Sequence, residues 1–515
     1  MNRVLNEETA IRQPLAATEG WSPGNHHRLP ESRGGCRVFY CLRSAGTALF
    51  AATVMTLAGA VFAEDGAPSE AVPAKPARAE PSDEAAPTLP YGYKPPAEIP
   101  PGASSDEEWI VTFGDGDKRA MDQARRDFFR VITRGNFESP EDRANFEKYI
   151  QWRLAQLTLR EYLTVNDKQQ EIGNERKKLV GDVARARDAG ETVFKAYLDT
   201  LVKETPNLFK YHFVSRLNGA WILAELNETE ANNGNPAVPY LPAAQPLLDL
   251  LKQDQQLEGV RVPAVRGLAR VIRDGQPTEQ MRNDIIAAFV NELQNGDPQH
   301  DVLPAVIAEE LGKLGIVNGS DRTPVVVHAL THALADKRRG FRTRSEAAAA
   351  LGRLPLDNSI NVSLIAYEIA ALAQEMSQAF QEDAAEAKMN NVAPNYAAWK
   401  RNFMNLYFAF EGDTHENVLR GHGLNRKDLN AAIKRSINGA YNQVLPLVAA
   451  ILKEKPIEEQ HLNNIQQWLQ ANAPQSRKVH DSFKEIISGD GQTDNDESGE
   501  PVKVSTSSAR NAETE

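Results

Sequence analysis

Arg344-Ser345-Glu346-Ala347-Ala348-Ala349-Ala350-Leu351-Gly352-Arg353-Leu354 decides the fold, because its pattern returns three times upstream. With Arg344 as position zero, positions +3, +7, +8 and +10 read Ala347, Leu351, Gly352 and Leu354. From Arg261 they read Ala264, Leu268, Ala269 and Val271, and from Arg216 they read Gly219, Leu223, Ala224 and Leu226. A weaker copy from Pro304 reads Ile307, Leu311, Gly312 and Leu314. The four starts lie 45, 43 and 40 residues apart. Positions 0, +3, +7 and +10 share one face of a helix. Small residues at +3 and +8 admit a neighbouring helix closely, and the large residue at +7 fills the space between copies. One helix pair buries too little surface alone, so the copies are expected to stack.

Self-similarity at about 40–47 residues is typical of HEAT and armadillo arrays. Acidic residues Asp254, Asp297 and Asp336 precede the last three starts by 7, 7 and 8 residues, in position to cap the helix after a tight turn. With the recurring arginine, these residues resemble the HEAT family, in which a turn Asp and a second-helix Arg return from repeat to repeat. Pro304 stands where Arg is expected, and no turn Asp precedes Arg216. The resemblance covers roughly 150 residues and implies an all-α, right-handed α-solenoid of stacked helix hairpins. It implies a fold and no function.

The net charge of −12 argues against nonspecific binding to nucleic acid, which requires a basic surface. Residues 1–63 read as a signal peptide or membrane anchor with an N-terminal extension. Arg28, Arg33, Arg37 and Arg43 precede the uncharged apolar run from Ser44 to Ala63, with Val61 and Ala63 placed for cleavage before Glu64. An uncleaved run of about 20 residues would just span a bilayer. Cys36 and Cys41 are the only cysteines and precede that run, so cleavage would leave a chain with no disulfide, thiolate ligand or cysteine nucleophile. Export to a periplasm or cell envelope is the expectation.

Residues 64–105 are Pro/Ala-rich and read as an extended linker. Residues 106–205 read as an N-terminal helical region, 206–487 as the repeat array, and 488–515 as an acidic, disordered tail. Helices are expected near 118–133, 140–165, 167–189, 191–203 and 211–226. The pairs 241–253 with 260–273, 277–294 with 301–315, and 323–336 with 341–354 follow. Stretches 357–381, 395–410, 426–453, 456–472 and 476–487 complete the count. Tyr396, Trp399, Phe403, Tyr407 and Phe410 form a helical stripe of the kind that fills a core.

His328 and His332 lie one turn apart, with Asp336 continuing the row, but no third ligand or HExxH arrangement makes a metal site of them. Asp413, His415, Glu416 and His422 share a glycine-bearing loop that could hold an ion or small ligand. No nucleotide-binding loop, nucleophile elbow or dinucleotide fingerprint is present, and no cofactor is implied. Position +9 of the four copies reads Glu225, Arg270, Lys313 and Arg353, and position +5 reads Trp221, Arg266, Glu309 and Ala349. Arg266, Arg270, Lys313 and Arg353 with Trp221 thus form a candidate basic row for an acidic peptide, the chain's own tail included. The functional expectation is an exported scaffold that binds a protein partner. Its competitor is a hydrolase of envelope polymers using carboxylates in the concave groove.

Overall fold

The computed structural model describes residues 104–105, 111–112, 115–159, 169–413 and 423–486. The apolar run 44–63, the linker up to residue 103, the tail 488–515 and loop residues His415, Glu416 and His422 lie outside them. Fifteen α-helices, three short 3-10 helices and two short antiparallel ladders make up the described secondary structure, so the protein is mostly helical.

Helices α1 (Asp115–Arg134), α2 (Pro140–Gln156), α3 (Gln169–Ala189) and α4 (Glu191–Glu204) form the N-terminal region. Helix α2 starts as its sequence dictates: Pro140 occupies the first turn, and the Ser139 Oγ accepts the Asp142 amide at 3.0 Å. The highly charged α3 packs on its neighbours. Its apolar points Ile172, Leu179 and Val183 are buried, and Asp182 and Glu175 hold the buried Arg153 at 3.2 and 3.3 Å. One apolar stripe is enough to dock an otherwise charged helix.

The copies of the repeated pattern begin with α5 (Phe213–Glu225) and continue in α7 (Glu258–Asp274), α9 (Leu303–Leu314) and α11 (Phe341–Arg353). These helices pack each on the next, and α13 (Tyr396–Glu411) continues the row. Their partners α6 (Ala244–Leu251), α8 (Glu279–Asn295), α10 (Val325–Ala335) and α12 (Val362–Met389) pack in a second row alongside. Helices α14 (Ala431–Leu452) and α15 (Glu459–Ala471) pack on α12 and on each other.

Close approach in the first row depends on small residues, as the pattern requires. A Cβ on Gly267 would stand 2.9 Å from the Ala224 Cβ, and one on Gly312 would stand 2.8 Å from the Ala350 Cα. Position +8 of one copy thus meets position +6 of the next. Gly352 lies against the backbone of Ala409 on α13.

The recurring arginine makes the same connection twice. Arg261 Nε donates to the Leu251 carbonyl at 2.9 Å, and its Nη2 donates to Glu292. Arg344 Nε donates to the Leu334 carbonyl at 2.9 Å, and its Nη1 donates to Glu375 at 2.6 Å. In both cases the carbonyl lies 10 residues before the arginine and the carboxylate 31 residues after it. Each guanidinium therefore ties the end of its own first helix to the first helix of the following pair. Pro304 cannot do this. Arg339 supplies the missing donor, reaching the Leu293 carbonyl at 2.7 Å.

The turn aspartates behave differently from expectation. Asp297 accepts the Gln299 amide and Asp336 the Arg338 amide, each within its own turn. Neither reaches the next helix, because the chain between Asp and helix start is long enough to need its own closure. The helix starts are capped from the neighbouring copy instead. Glu258 accepts the amides of Val302 and Leu303 at 3.3 and 3.1 Å, and Asp301 accepts that of Thr343 at 2.9 Å. Each satisfies donors that a helix N-terminus leaves open.

Other differences are local. Asn227–Thr229 pairs with Val238–Pro239 across the polar loop, with Asn233 and Gly234 at positive φ in the turn. Helix α2 ends at Gln156 instead of residue 165, and α12 runs on to Met389. Residues 476–486 form no helix, although their spacing predicts one. Val479 and Ile486 are buried in the core from an irregular segment whose ends bond to each other, and the Val479 carbonyl accepts the Asn361 amide. The aromatic stripe of α13 packs into the core, with Phe403 and Phe410 fully buried.

Arg261→Ala is expected to cost about 3–5 kcal/mol by stranding the buried Glu292 carboxylate. The double substitution Arg261→Met/Glu292→Leu should recover most of the lost melting temperature. Gly352→Ala should lower the melting temperature, at about 1–3 kcal/mol of overpacking against the α13 backbone. Gly181→Ala, on an exposed face of α3 with nothing within 4 Å of the new Cβ, should raise it slightly.

Candidate functional site

The basic row lies on α5, α7, α9 and α11, where the pattern places it. Its members are not free. Arg266 Nη1 donates to Glu310 at 3.0 Å and its Nη2 to Glu309 at 3.5 Å. Lys313 Nζ donates to Glu309 at 2.6 Å and lies 3.8 Å from Glu310. Arg270 Nη2 donates to the Leu226 carbonyl and the Asn227 side chain, each at 2.7 Å. Trp221 is half-buried under the guanidinium of Arg176, which stands 5.8 Å from its ring and pairs with Glu225 at 3.5 Å. The row is therefore a ladder: α3 to α5 through Arg176–Glu225, α5 to α7 through Arg270, and α7 to α9 through Arg266. Arg401 on α13 reaches Glu346 on α11 at 2.7 Å and extends it.

Burial and neighbouring charge split the two adjacent glutamates. Burial works to raise Glu309, but Lys313 and Arg266 outweigh it and hold the carboxyl below its usual range. Burial raises Glu310 above that range, against the same two cations. Glu225 is likewise raised by burial, against Arg176 and Arg270. The same two effects act on all three: burial costs each carboxylate its water, and its cationic partners outweigh that loss at Glu309 but only partly offset it at Glu310 and Glu225.

Arg353 is the exception. It is 8% exposed, and its Nη1 has no hydrogen-bond partner. Beside it, Lys427 Nζ donates to the carbonyls of Gly352, at 2.8 Å, and Leu354, closing the C-terminus of α11. Burial lowers Lys427 to about 8. Nothing in the repeat spacing points to Lys427, since it arrives from outside the copies. The Arg266–Glu309 contact did have a signal. The two residues occupy position +5 of consecutive copies with opposite charge.

His328 and His332 are half-buried on α10. Asp336 does not join them, because Arg338 holds it at 2.9 and 3.0 Å. Among the described residues no group of three His, Cys, Asp or Glu side chains is placed to hold a metal ion. The His328 ring instead stacks parallel on Phe483 at 4.2 Å. The candidate loop contributes only Asp413 to the described residues. Asp115 and Asp117 of the acidic Gly-Asp-Gly-Asp stretch lie in the first turn of α1. The shallow depressions of the N-terminal region are lined by Asp122, Arg125, Arg126 and Phe129, and by Glu171, Asn174, Glu175, Lys177 and Lys178. Among the described residues no helix is long and apolar enough to cross a membrane.

Comparison with known proteins gives no match to a family model, a curated protein or a solved structure.

His328 gives a pH prediction. Burial, with the nearby His332, lowers its pKa to about 4, whereas an unfolded histidine titrates near 6.5. As pH falls, the unfolded chain takes the proton first. The contribution of neutral His328 is therefore present above about 6.5 and lost toward pH 4. The melting temperature should fall across that window, and His328→Phe should flatten the fall.

Proposed function

We propose that this chain is an exported, HEAT-like α-solenoid that acts as a binding scaffold for a protein partner in the cell envelope. The observation that carries this reading is the repeated arginine connection, with the same two partners at the same two offsets in separate copies. Such recurrence fits a chain of equivalent units whose exposed sides form one long surface, the form in which repeat arrays bind extended partners. The residues 44–63 supply the export signal or anchor, and the linker spaces the body from the membrane.

The row Arg266, Arg270, Lys313, Arg353 and Trp221 receives an acidic segment, of which the chain's own tail (Asp490, Asp494, Asp496, Glu497, Glu500) is one. Glu309 and Glu310 already occupy Arg266 and Lys313, so they compete with any such ligand. An acidic peptide must exchange one set of carboxylates for another, which yields weak, salt-sensitive binding. The competing reading, a hydrolase of envelope polymers, draws on the opposite shifts of Glu309 and Glu310.

The test uses the protein lacking residues 488–515 and a labelled peptide of that tail. Binding should weaken with salt and disappear in the Arg270→Ala/Lys313→Ala/Arg353→Ala variant. The Glu309→Gln/Glu310→Gln variant should bind more tightly, by roughly tenfold if about 1.4 kcal/mol of competition is removed. Binding indifferent to salt and to both variants would end the assignment of this row. Hydrolysis of envelope polymer by the full chain, lost in Glu310→Gln, would favour the enzyme instead. Sequencing the N-terminus of exported protein should find Glu64 first.

A further inference from the structure

Five Asn-Gly steps occur in the chain, at 218–219, 233–234, 295–296, 318–319 and 438–439. Asn-Gly is prone to cyclise on itself. The glycine amide nitrogen attacks the asparagine carboxamide carbon, and glycine has no Cβ to obstruct the approach. The attack needs a glycine amide free to give up its proton, a carboxamide free to swing onto it, and a main chain free to turn. All five steps share the same two residues, so their surroundings rank them.

Asn218-Gly219 and Asn438-Gly439 lie inside α5 and α14, where the helix ladder holds the main chain. Asn218 is also buried, and its Nδ2 donates to the Val214 carbonyl at 2.8 Å. Asn295 ends α8. Its Nδ2 donates to Asn291 at 2.8 Å, and the Gly296 amide donates to the Glu292 carbonyl at 3.0 Å. Asn318 is exposed, but the Gly319 amide donates to the Thr323 carbonyl at 2.9 Å. Asp321 closes that turn by accepting the Thr323 amide at 2.9 Å and its hydroxyl at 2.6 Å.

Asn233-Gly234 differs on each count. Residues 228–236 are all exposed, and a Cβ on Gly234 would meet nothing within 4 Å. Among the described residues, neither the Asn233 carboxamide nor the Gly234 amide makes a hydrogen bond. The tip is closed by the Asn232 and Asn235 amides and carbonyls, at 3.2 and 2.9 Å, and the ladder beneath it is irregular between Asn227 and Thr229. An exposed tip with so few bonds opens locally at small cost. Opening also releases Asn233 from its positive φ of 48°.

We propose that Asn233 is a site of spontaneous covalent modification, converting to aspartate and isoaspartate in the folded protein while the other four asparagines persist. Hydroxide takes the Gly234 amide proton, and the nitrogen bonds to the Asn233 Cγ. The bond from Cγ to Nδ2 breaks, and the leaving nitrogen takes a proton from water and departs as ammonia, which regenerates hydroxide. Water then opens the five-membered imide. Cleavage at Cγ yields aspartate; cleavage at the Asn233 main-chain carbonyl yields isoaspartate, whose main chain is one methylene longer. No oxidant or reductant enters. Either product places a carboxylate where a neutral amide stood, in a loop that already carries Glu228 and Glu230 and whose Asn227 receives Arg270.

The test incubates the full chain at mildly alkaline pH, folded and, in parallel, in denaturant. Digestion and mass spectrometry then score the five asparagine peptides, and chromatography separates aspartate from isoaspartate. In the folded chain Asn233 should convert at least about tenfold faster than each of the other four, which react only when a helix or a bonded turn opens. In denaturant the five rates should draw together. The folded chain should accumulate a more acidic form on anion exchange, and Asn233→Gln should remove it. The proposal falls if another of the five keeps pace with Asn233 in the folded chain. It falls equally if none converts there while all convert in denaturant, since the turn then protects Asn233 as the helices protect the others.

Discussion

Arg261 and Arg344 are 2% and 3% exposed, and the side chain of each joins three pieces of chain: its own helix, the end of the helix before it, and the helix after it. A buried charge is tolerated only where partners replace its water. The carbonyls of Leu251 and Leu334 are such partners, because the last carbonyls of a helix have no internal donor. One requirement thus meets another. The open end of a first helix satisfies a buried cation on the second, and the remaining donors are directed to the next pair. In these two copies the connection adds direction to the apolar contact, which is itself nondirectional.

The same logic recurs at the other helix ends. Glu258 and Asp301 close the starts of α9 and α11 from the preceding copy, and Lys427 closes the end of α11 from a later segment. Where Pro304 removes the arginine, Arg339 reaches the corresponding carbonyl from the turn. The requirement belongs to the helix end, so the residue that answers it can change position. Small residues at Gly267, Gly312 and Gly352 then set how near the helices stand.

Polar residues divide between two roles on the two rows. On the first row, Arg266, Lys313, Glu309 and Glu310 neutralise one another across helices and lie partly shielded. On the second row, Asn361, Glu368 and His328 turn toward an irregular loop instead of a helix.

The helical class, the four copies and the small residues between them were legible in the chain, since helical periodicity and repeat length are local properties of residue order. So was the start of α2 at Ser139-Pro140, where cap and first-turn chemistry act within a few residues. The aromatic stripe of α13 was readable as core for the same reason. The partners of the charged residues were not legible. Arg270 reads as a basic member of an open row, yet it bonds a carbonyl at the end of α5. Residues 476–486 read as a helix by apolar spacing, yet Val479 and Phe483 are held by α12 and α10. Spacing tells which side chains share a face. Only the tertiary structure decides which distant carbonyl, carboxylate or ring that face meets, because such contacts join residues separated by one repeat or more.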